Sequence, residues 1–132
     1  MKPEIIESLR KEIGDAKVHT SDEVLDERRF DYWVVSHLQD FRGEDLARPG
    51  VVVRPESTTE VQAIMRIASE SKTPVVPFGL GSGVCGGIRP DPSVILVDLS
   101  KMNRVREIDE TNLLASFDAG MQGLEAEEAV AE

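Results

Sequence analysis

The sequence is short of cysteine, histidine and aromatic side chains, and it has no long apolar run. Its single cysteine, Cys85, rules out an internal disulfide and cannot form a thiolate metal site by itself. His19 and His37 have no partner at ligand spacing, so we expect surface or packing roles for both, and no metal site. No stretch is apolar over the length of a signal-peptide core or a bilayer span. We therefore expect a soluble protein without a membrane span, located by default in the cytoplasm.

Positive charge is also scarce, because 15 Lys and Arg side chains face 25 Asp and Glu side chains, which gives a formal net charge of -10. A chain this acidic has no bulk attraction to nucleic acid or to anionic lipid, so we expect neither as a partner. The length of 132 residues and the 40% content of hydrophobic residues are enough for one modest domain with a packed core.

Residues 1–48 are expected to form a helical and irregular lead-in. Apolar residues at helical spacing predict a short amphipathic helix over residues 3–13, ended by Gly14. The residues on its apolar side are Ile5, Ile6, Leu9 and Ile13. The remainder of the lead-in is charge-rich and shows no regular period. Tyr32 and Trp33 lie in it, and we expect both rings to anchor it to the rest of the protein by packing.

A β-α-β unit is predicted over residues 51–78. The run VVVRP at 51–55 is typical of a short buried strand, and PVVPF at 74–78 is typical of a second one. Between them, Ser57 and Glu60 have the spacing of a helix capping box. The apolar residues that follow at helical spacing are Val61, Ile64, Met65 and Ala68. Strands joined by such a helix should be parallel.

Further strands are predicted after residue 90. Residues 94–97 form an apolar run, and the apolar segments 105–108 and 113–117 flank a polar turn, so we expect the last two to form an antiparallel pair. Residues 123–132 begin a helix that has no C-terminal cap, so the sequence is expected to be cut there. The predicted fold class is α+β, with a small parallel β-α-β unit plus antiparallel strands.

The stretch PVVPFGLGSGVCGGIRP, residues 74–90, places five glycines after the second strand of this unit, although glycine is costly to order. They are Gly79, Gly81, Gly83, Gly86 and Gly87. A G-x-G-x-x-G occurs at 81–86, but the dinucleotide fingerprint needs a helix that begins at the loop, and Pro90 and Pro92 prevent one. A P-loop is excluded too, because no Lys-Ser or Lys-Thr follows the glycines.

A third interpretation is that the loop binds phosphate groups without the help of a helix. Successive glycines can turn several main-chain N–H groups into one concave anion site, a nest. Glycine suits this role because a Cβ would hold the backbone away from the ligand and disfavour positive φ. Ser82 could add a hydroxyl donor. A glycine-rich surface turn without a ligand is the alternative that the residues leave open.

Several motifs together give residues 46–132 a family resemblance. They are an Arg-Pro before a valine run, Ser-Thr-x-Glu-Val, Pro-Val-x-Pro-x-Gly-x-Gly-Ser and Leu-Ser-x-Met-Asn-Arg. In these motifs the chain resembles the start of the FAD-binding domain of the vanillyl-alcohol-oxidase superfamily, the PCMH-type FAD-linked oxidases. Within it, the chain is similar to the alkyldihydroxyacetonephosphate synthases and nearly as similar to glycolate oxidase subunits and D-lactate dehydrogenases. Residues 49–132 are thus expected to be the first part of that domain, truncated at its C-terminus.

The resemblance implies a cofactor and its binding residues. In that family the matching loop wraps the FAD pyrophosphate through main-chain amides, which implies cofactor binding by Pro77, Phe78, Gly79, Leu80, Gly81, Ser82, Gly83 and Val84. Cys85 lies at the edge of this set, and we expect it to be a small packing residue. Some members attach the flavin covalently through a histidine in this loop. This loop has no histidine, so the resemblance implies non-covalent FAD.

The resemblance also implies a function for the whole protein. The chain would be the N-terminal part of an FAD-linked oxidoreductase that acts on a small-molecule substrate. That substrate would be a 2-hydroxy acid or, as in the synthases, a phosphorylated molecule whose acyl group is exchanged for an alkyl group. The family's catalytic residues are expected beyond residue 132, so this part alone is expected to be inactive. The alternative is a non-catalytic fragment that binds a nucleotide or anion or forms a homodimer, since half a flavin pocket exposes apolar surface.

Overall fold

A computed structural model of the protein describes residues 1–131. The helices are α1 (Pro3–Ile13), α2 (Asp22–Glu27), α3 (Val34–Phe41), α4 (Thr58–Ser71) and α5 (Gly123–Ala131). The strands are β1 (Val18–His19), β2 (Val51–Val53), β3 (Val75–Phe78), β4 (Ile95–Asp98), β5 (Val105–Asp109) and β6 (Leu114–Phe117). Short 3-10 turns occur at Asp15–Lys17 and Leu99–Lys101. The predicted α+β class is confirmed.

A four-stranded sheet in the order β1-β2-β4-β3 forms the centre of the fold. Strands β2, β4 and β3 are parallel, and β1 pairs with β2 in the antiparallel direction. The predicted β-α-β unit is therefore parallel, but β4 lies between its two strands. Every residue of β4 is buried, as suits a strand that is paired on both sides. Pro77 has no N–H to donate and lies in the edge strand β3, where proline is tolerated.

Helix α1 attaches the N-terminus to the core by packing against α4. It begins at Pro3, whose fixed φ suits a first helical position, and it ends before Gly14, which has a φ of 92°. Its buried residues are Ile5, Leu9 and Ile13, and they lie in one core cluster with residues of α4 and the sheet. The predicted helix is confirmed at both ends.

Helix α4 begins with half of the predicted capping box. The Ser57 hydroxyl accepts a hydrogen bond from the N–H of Glu60 at 3.3 Å. The Glu60 carboxylate, however, accepts from the N–H of Glu56 at 2.8 Å. The buried residues of α4 are Ile64, Ile67 and Ala68. Met65 lies on the predicted helix but is 48% exposed, because the buried face is rotated towards Ile67.

The lead-in has more regular structure than its pattern predicts. It adds β1 to the sheet and forms both α2 and α3. The buried residue of α3 is Ser36, whereas Val34, Leu38 and Phe41 are exposed. The apolar side of α3 thus faces away from the core, so apolar periodicity could not indicate how this helix packs.

Strands β5 and β6 form a separate antiparallel sheet, as predicted, with an irregular register near Arg106. The Asp109 carboxylate holds the turn by accepting the N–H groups of Thr111 and Asn112, both at 3.0 Å. Helix α5 follows, and together with the two strands it forms a groove of about 530 Å³, called here the hairpin groove. Its apolar lining includes Ile108, Leu113, Leu114, Phe117 and Val130.

Candidate functional site

The glycine loop, residues 79–88, leaves the carboxyl end of β3. Ligands of open α/β sheets bind at this end of parallel strands. Residues 79–94 contain no helix, so the G-x-G-x-x-G at 81–86 is not followed by the helix that a dinucleotide fingerprint requires. Any anion at this loop would therefore be bound by the turn itself.

Packing within the protein requires glycine at some loop positions but not at Gly79. At Gly81, where φ is +66°, an added Cβ would lie 2.7 Å from the Phe78 ring. At Gly86, where φ is +72°, it would lie 2.7 Å from the Trp33 ring. An added Cβ at Gly79 would meet no atom within 4 Å. The protein's own packing explains the first two glycines but not Gly79.

The main-chain N–H groups of the loop fall into two sets. Those of residues 79–86 have no hydrogen-bond acceptor within the described part of the chain. Those of Gly87 and Ile88 donate to Asp31 Oδ2, at 2.9 and 3.4 Å. Asp31 is only 2% exposed, and an added Cβ at Gly83 would lie 3.1 Å from its Oδ2. The first set has no acceptor in this part of the chain, although Gly81 is itself buried, and the second is taken by the protein's own carboxylate.

A cleft of about 410 Å³ separates the first part of the loop from the lead-in. The lead-in contributes Glu27, Arg28, Phe30, Asp31, Tyr32 and His37 to its lining, and Ser100 and Gln122 complete it. Of the predicted cofactor-binding residues, the cleft is lined by Phe78, Gly79, Leu80 and Gly81. The other four predicted residues are exposed but do not line the cleft: Pro77, Ser82, Gly83 and Val84.

A buried carboxylate organises the charges beside this cleft. Asp98, the last residue of β4, accepts hydrogen bonds at 3.0 Å from Nε of Arg28 and from Nε of Arg54. Burial by itself raises the pKa of this carboxyl, yet hydrogen bonds from Ser100 and Arg54 and the nearby Arg28 charge hold the pKa below its ordinary value of 3.8. The Arg28 guanidinium also lies 5.1 Å from the centre of the Phe78 ring. One guanidinium therefore stands at the wall of the cleft.

Sequence reasoning missed Arg28 and Asp31 as residues of this region. Their partners are distant along the chain, since Arg28 is 70 positions from Asp98 and Asp31 is 56 positions from Gly87. A single sequence carries no direct signal for such pairs. The one local hint is an acidic residue within the aromatic run FDYW, residues 30–33, because an acid in apolar surroundings needs hydrogen-bond donors.

The structure agrees with some of the expectations for other side chains and contradicts others. Cys85 is exposed, so the expectation that it packs is wrong. Tyr32 is 65% exposed and does not anchor the lead-in by burial, whereas Trp33 packs against the loop. No three or more His, Cys, Asp and Glu side chains come together within residues 1–131 in a way that could hold a metal ion. No helix in this part of the chain has the length and apolar character to cross a membrane.

Comparisons with known proteins agree on one family. A family model described as an FAD binding domain matches residues 49–132. The glycolate oxidase subunit GlcD of Bacillus subtilis (strain 168) is 38% identical over 82 residues, which are 62% of this chain and 17% of that protein. The D-lactate dehydrogenase of Anaerostipes hadrus is 31% identical over 119 residues, which are 90% of this chain and 23% of that protein. The chain thus spans less than a quarter of the length of these relatives.

A solved structure shows the same fold. An alkyldihydroxyacetonephosphate synthase superposes with a TM-score of 0.91 at 22% sequence identity, and the match covers 99% of this chain and 25% of that one. The alignment includes the lead-in as well as the sheet. The resemblance to PCMH-type FAD-linked oxidases that the motifs predicted is confirmed.

Proposed function

This chain belongs to the family of FAD binding domains, and on that premise we propose that its glycine loop binds the diphosphate of FAD through main-chain N–H groups. The observation that carries the proposal is the set of N–H groups over residues 79–86 that have no acceptor in the described part of the chain. Oriented N–H dipoles bind a diphosphate without basic side chains, which suits a net charge of -10. The residues proposed to contact the cofactor are Pro77, Phe78, Gly79, Leu80, Gly81, Ser82, Gly83 and Val84. Pro77 has no N–H, so its contact would be made by other atoms.

The cleft beside the loop supports this placement. It gives a bound group room next to Gly79, the one glycine here whose missing side chain faces open space. The cleft lining also carries the guanidinium of Arg28, which is paired with Asp98 and Glu27, so main-chain N–H groups remain the main donors proposed for the anion. The flavin is held without a covalent bond in this proposal, because the loop has no histidine to which it could be attached.

The whole protein is, in this proposal, an FAD-linked oxidoreductase. Its named relatives support oxidation of a 2-hydroxy acid, and the Met-Asn-Arg motif supports the alternative of a reaction like that of the alkyldihydroxyacetonephosphate synthases. When bound, FAD would supply the redox chemistry, and the residues of this chain would bind and orient it. A cytoplasmic location is part of the proposal and suits a chain with one cysteine.

In this proposal, residues 1–48 stabilise the cofactor-binding part, residues 49–132, by packing against it. Strand β1 extends the sheet, and α1 packs on α4. The N–H of Tyr32 donates to the carbonyl of Gly81 at 3.0 Å. The lead-in therefore contacts both the sheet and the loop, and its removal should disturb both.

The experiment that tests the proposal is an FAD titration of the complete gene product and its variants, followed by flavin fluorescence. We expect Gly79→Val to weaken FAD binding by about tenfold or more, equivalent to about 1.4 kcal/mol. The unfolding temperature should stay near that of the wild type, because a Cβ there meets no protein atom. Gly123→Val is the matched control, since an added Cβ at Gly123 also meets no atom within 4 Å. Wild-type affinity in Gly79→Val, or no FAD binding by the wild type, contradicts the proposal.

A second candidate is a non-catalytic fragment that binds a nucleotide or anion or forms a homodimer. The hairpin groove favours it, because exposed apolar surface of this kind marks a contact site. Sedimentation measures the molar mass of the wild type and of Leu114→Glu, which places a charge in the groove. Phe41→Glu is the control, since Phe41 is 89% exposed and lies on α3. A dimer that only Leu114→Glu dissociates supports the dimerising form of this candidate, and a monomer of the wild type at all concentrations excludes that form.

A further inference from the structure

Asp31 is a buried carboxylate whose hydrogen-bond donors are main-chain N–H groups. It is 2% exposed. Its Oδ1 accepts from the N–H of Trp33 at 3.1 Å, and its Oδ2 accepts from the N–H groups of Gly87 and Ile88 at 2.9 and 3.4 Å. No ion pair to this carboxylate is formed within residues 1–131. A buried charge must be compensated, and here the backbone of the glycine loop compensates it.

We infer that Asp31 is a positioning residue that holds the glycine loop in the conformation that binds FAD. The inference rests on the proposed function and adds to it a residue that lies outside the loop. Three successive residues contact the loop at separate points. Asp31 holds the N–H groups at its far end, Tyr32 donates to the carbonyl of Gly81, and the Trp33 ring packs against Gly86.

The physical reason is conformational entropy. Glycine loses more freedom on ordering than other residues, so an unrestrained loop of this composition would pay that cost when the ligand binds. A loop that is already fixed before binding avoids it, and affinity rises accordingly. Asp31 also occupies the N–H groups of Gly87 and Ile88. The diphosphate is thereby directed to the N–H groups of residues 79–86.

This role predicts a change of FAD affinity whose sign separates positioning from simple charge effects. Removing a buried negative charge near a bound diphosphate should strengthen binding if only Coulomb repulsion matters. If Asp31 positions the loop, its removal should weaken binding instead. We expect the FAD dissociation constant to rise about tenfold in Asp31→Ala, which loses hydrogen bonds to a charged acceptor. The rise should be smaller in Asp31→Asn, whose amide oxygen keeps one acceptor.

The first test is an FAD titration of the complete gene product, its two Asp31 variants and Ile64→Val. Ile64 is fully buried on α4, in a core cluster that does not include loop residues. Ile64→Val controls for lost stability and should keep wild-type FAD affinity. Weaker binding in Asp31→Ala, with a smaller loss in Asp31→Asn, supports the inference. Unchanged or tighter binding in Asp31→Ala overturns it and leaves the proposed function standing.

The second test needs no ligand. Hydrogen exchange of the flavin-free protein should be faster at Gly87 and Ile88 in Asp31→Ala than in the wild type, because these two N–H groups lose their acceptor. The increase should be smaller in Asp31→Asn, whose amide oxygen can still accept. Unchanged exchange there overturns the inference whether or not FAD binds. A wild type that binds no FAD refutes the proposed function and, with it, the positioning role for this cofactor.

Discussion

At the scale of single residues, the glycines of the loop meet different demands. Gly81 and Gly86 adopt positive φ and lie against the rings of Phe78 and Trp33, so a side chain at either position would disturb the protein as well as a ligand. Gly79 meets no such neighbour. A substitution at Gly79 therefore separates an effect on the cofactor from an effect on the fold.

Cys85 is expected to be dispensable for the cofactor. Its side chain is exposed at the far part of the loop, outside the residues that line the cleft. Cys85→Ala should therefore change the FAD dissociation constant by less than about twofold, as expected for a surface substitution. In the folded wild type, the thiol should react with a maleimide, which mass spectrometry detects. Loss of FAD binding in Cys85→Ala would place this side chain in the site.

Asp98 gives the stability a dependence on pH. Its pKa in the folded protein lies below the ordinary 3.8, so the folded state binds fewer protons than the unfolded state in this range. The contribution of ionised Asp98 to the free energy of unfolding is complete at pH values above the pKa that it has in the unfolded chain. This contribution is lost as the pH falls through the lower pKa of Asp98 in the folded protein. We expect the free energy of unfolding, from urea titrations, to fall between about pH 5 and pH 2. It should fall less steeply in Asp98→Asn.

At neutral pH, Asp98→Asn is expected to cost about 3–5 kcal/mol, because Arg28 and Arg54 lose the buried carboxylate that they share. Ile64→Val is the control. It removes one buried methyl group, should cost about 0.5–1.5 kcal/mol and adds or removes no titrating group. Its effect should therefore be the same at each pH. An identical pH slope in Asp98→Asn and the wild type contradicts this account of Asp98.

At the scale of elements, α1 stabilises the fold through its contact with α4. Leu9 is fully buried in the core cluster that joins the two helices and the sheet. Leu9→Ala should lower the free energy of unfolding by about 2–5 kcal/mol, because it leaves a cavity. Leu38→Ala is the same substitution at a position that is 48% exposed on α3. It should change stability by less than about 0.5 kcal/mol, and equal losses in the two variants contradict the assignment of α1 to the core.

Several elements that sequence could predict have an apolar pattern that matches their burial, whereas the exposed strands β5 and β6 were predicted from the polar turn between them. Such a match is found in α1, in β2 and in the first three residues of β4, which ends in the buried Asp98. It fails for α3, which buries Ser36 and exposes Phe41. Here the surroundings of the helix decide which side is buried, and periodicity alone does not contain that information.

At the scale of the whole molecule, sequence predicted the parallel unit and the antiparallel pair but not their arrangement. The position of β4 between β2 and β3 depends on pairing between segments far apart in the chain, which local propensity does not encode. The candidate site, too, could be predicted from the sequence only where its residues are close together in the chain. The glycine loop was predicted from its composition, whereas the hydrogen bonds of Asp31 and the ion pairs of Asp98 join distant segments and became visible only in the folded chain.

The most direct test of the central claim is hydrogen exchange of the loop with and without FAD. If main-chain N–H groups bind the diphosphate, then FAD should slow the exchange of residues 79–84 in the complete gene product. The N–H groups of Gly87 and Ile88, already bonded to Asp31, should change little. Bound FAD that leaves exchange over residues 79–84 unaltered would contradict the account.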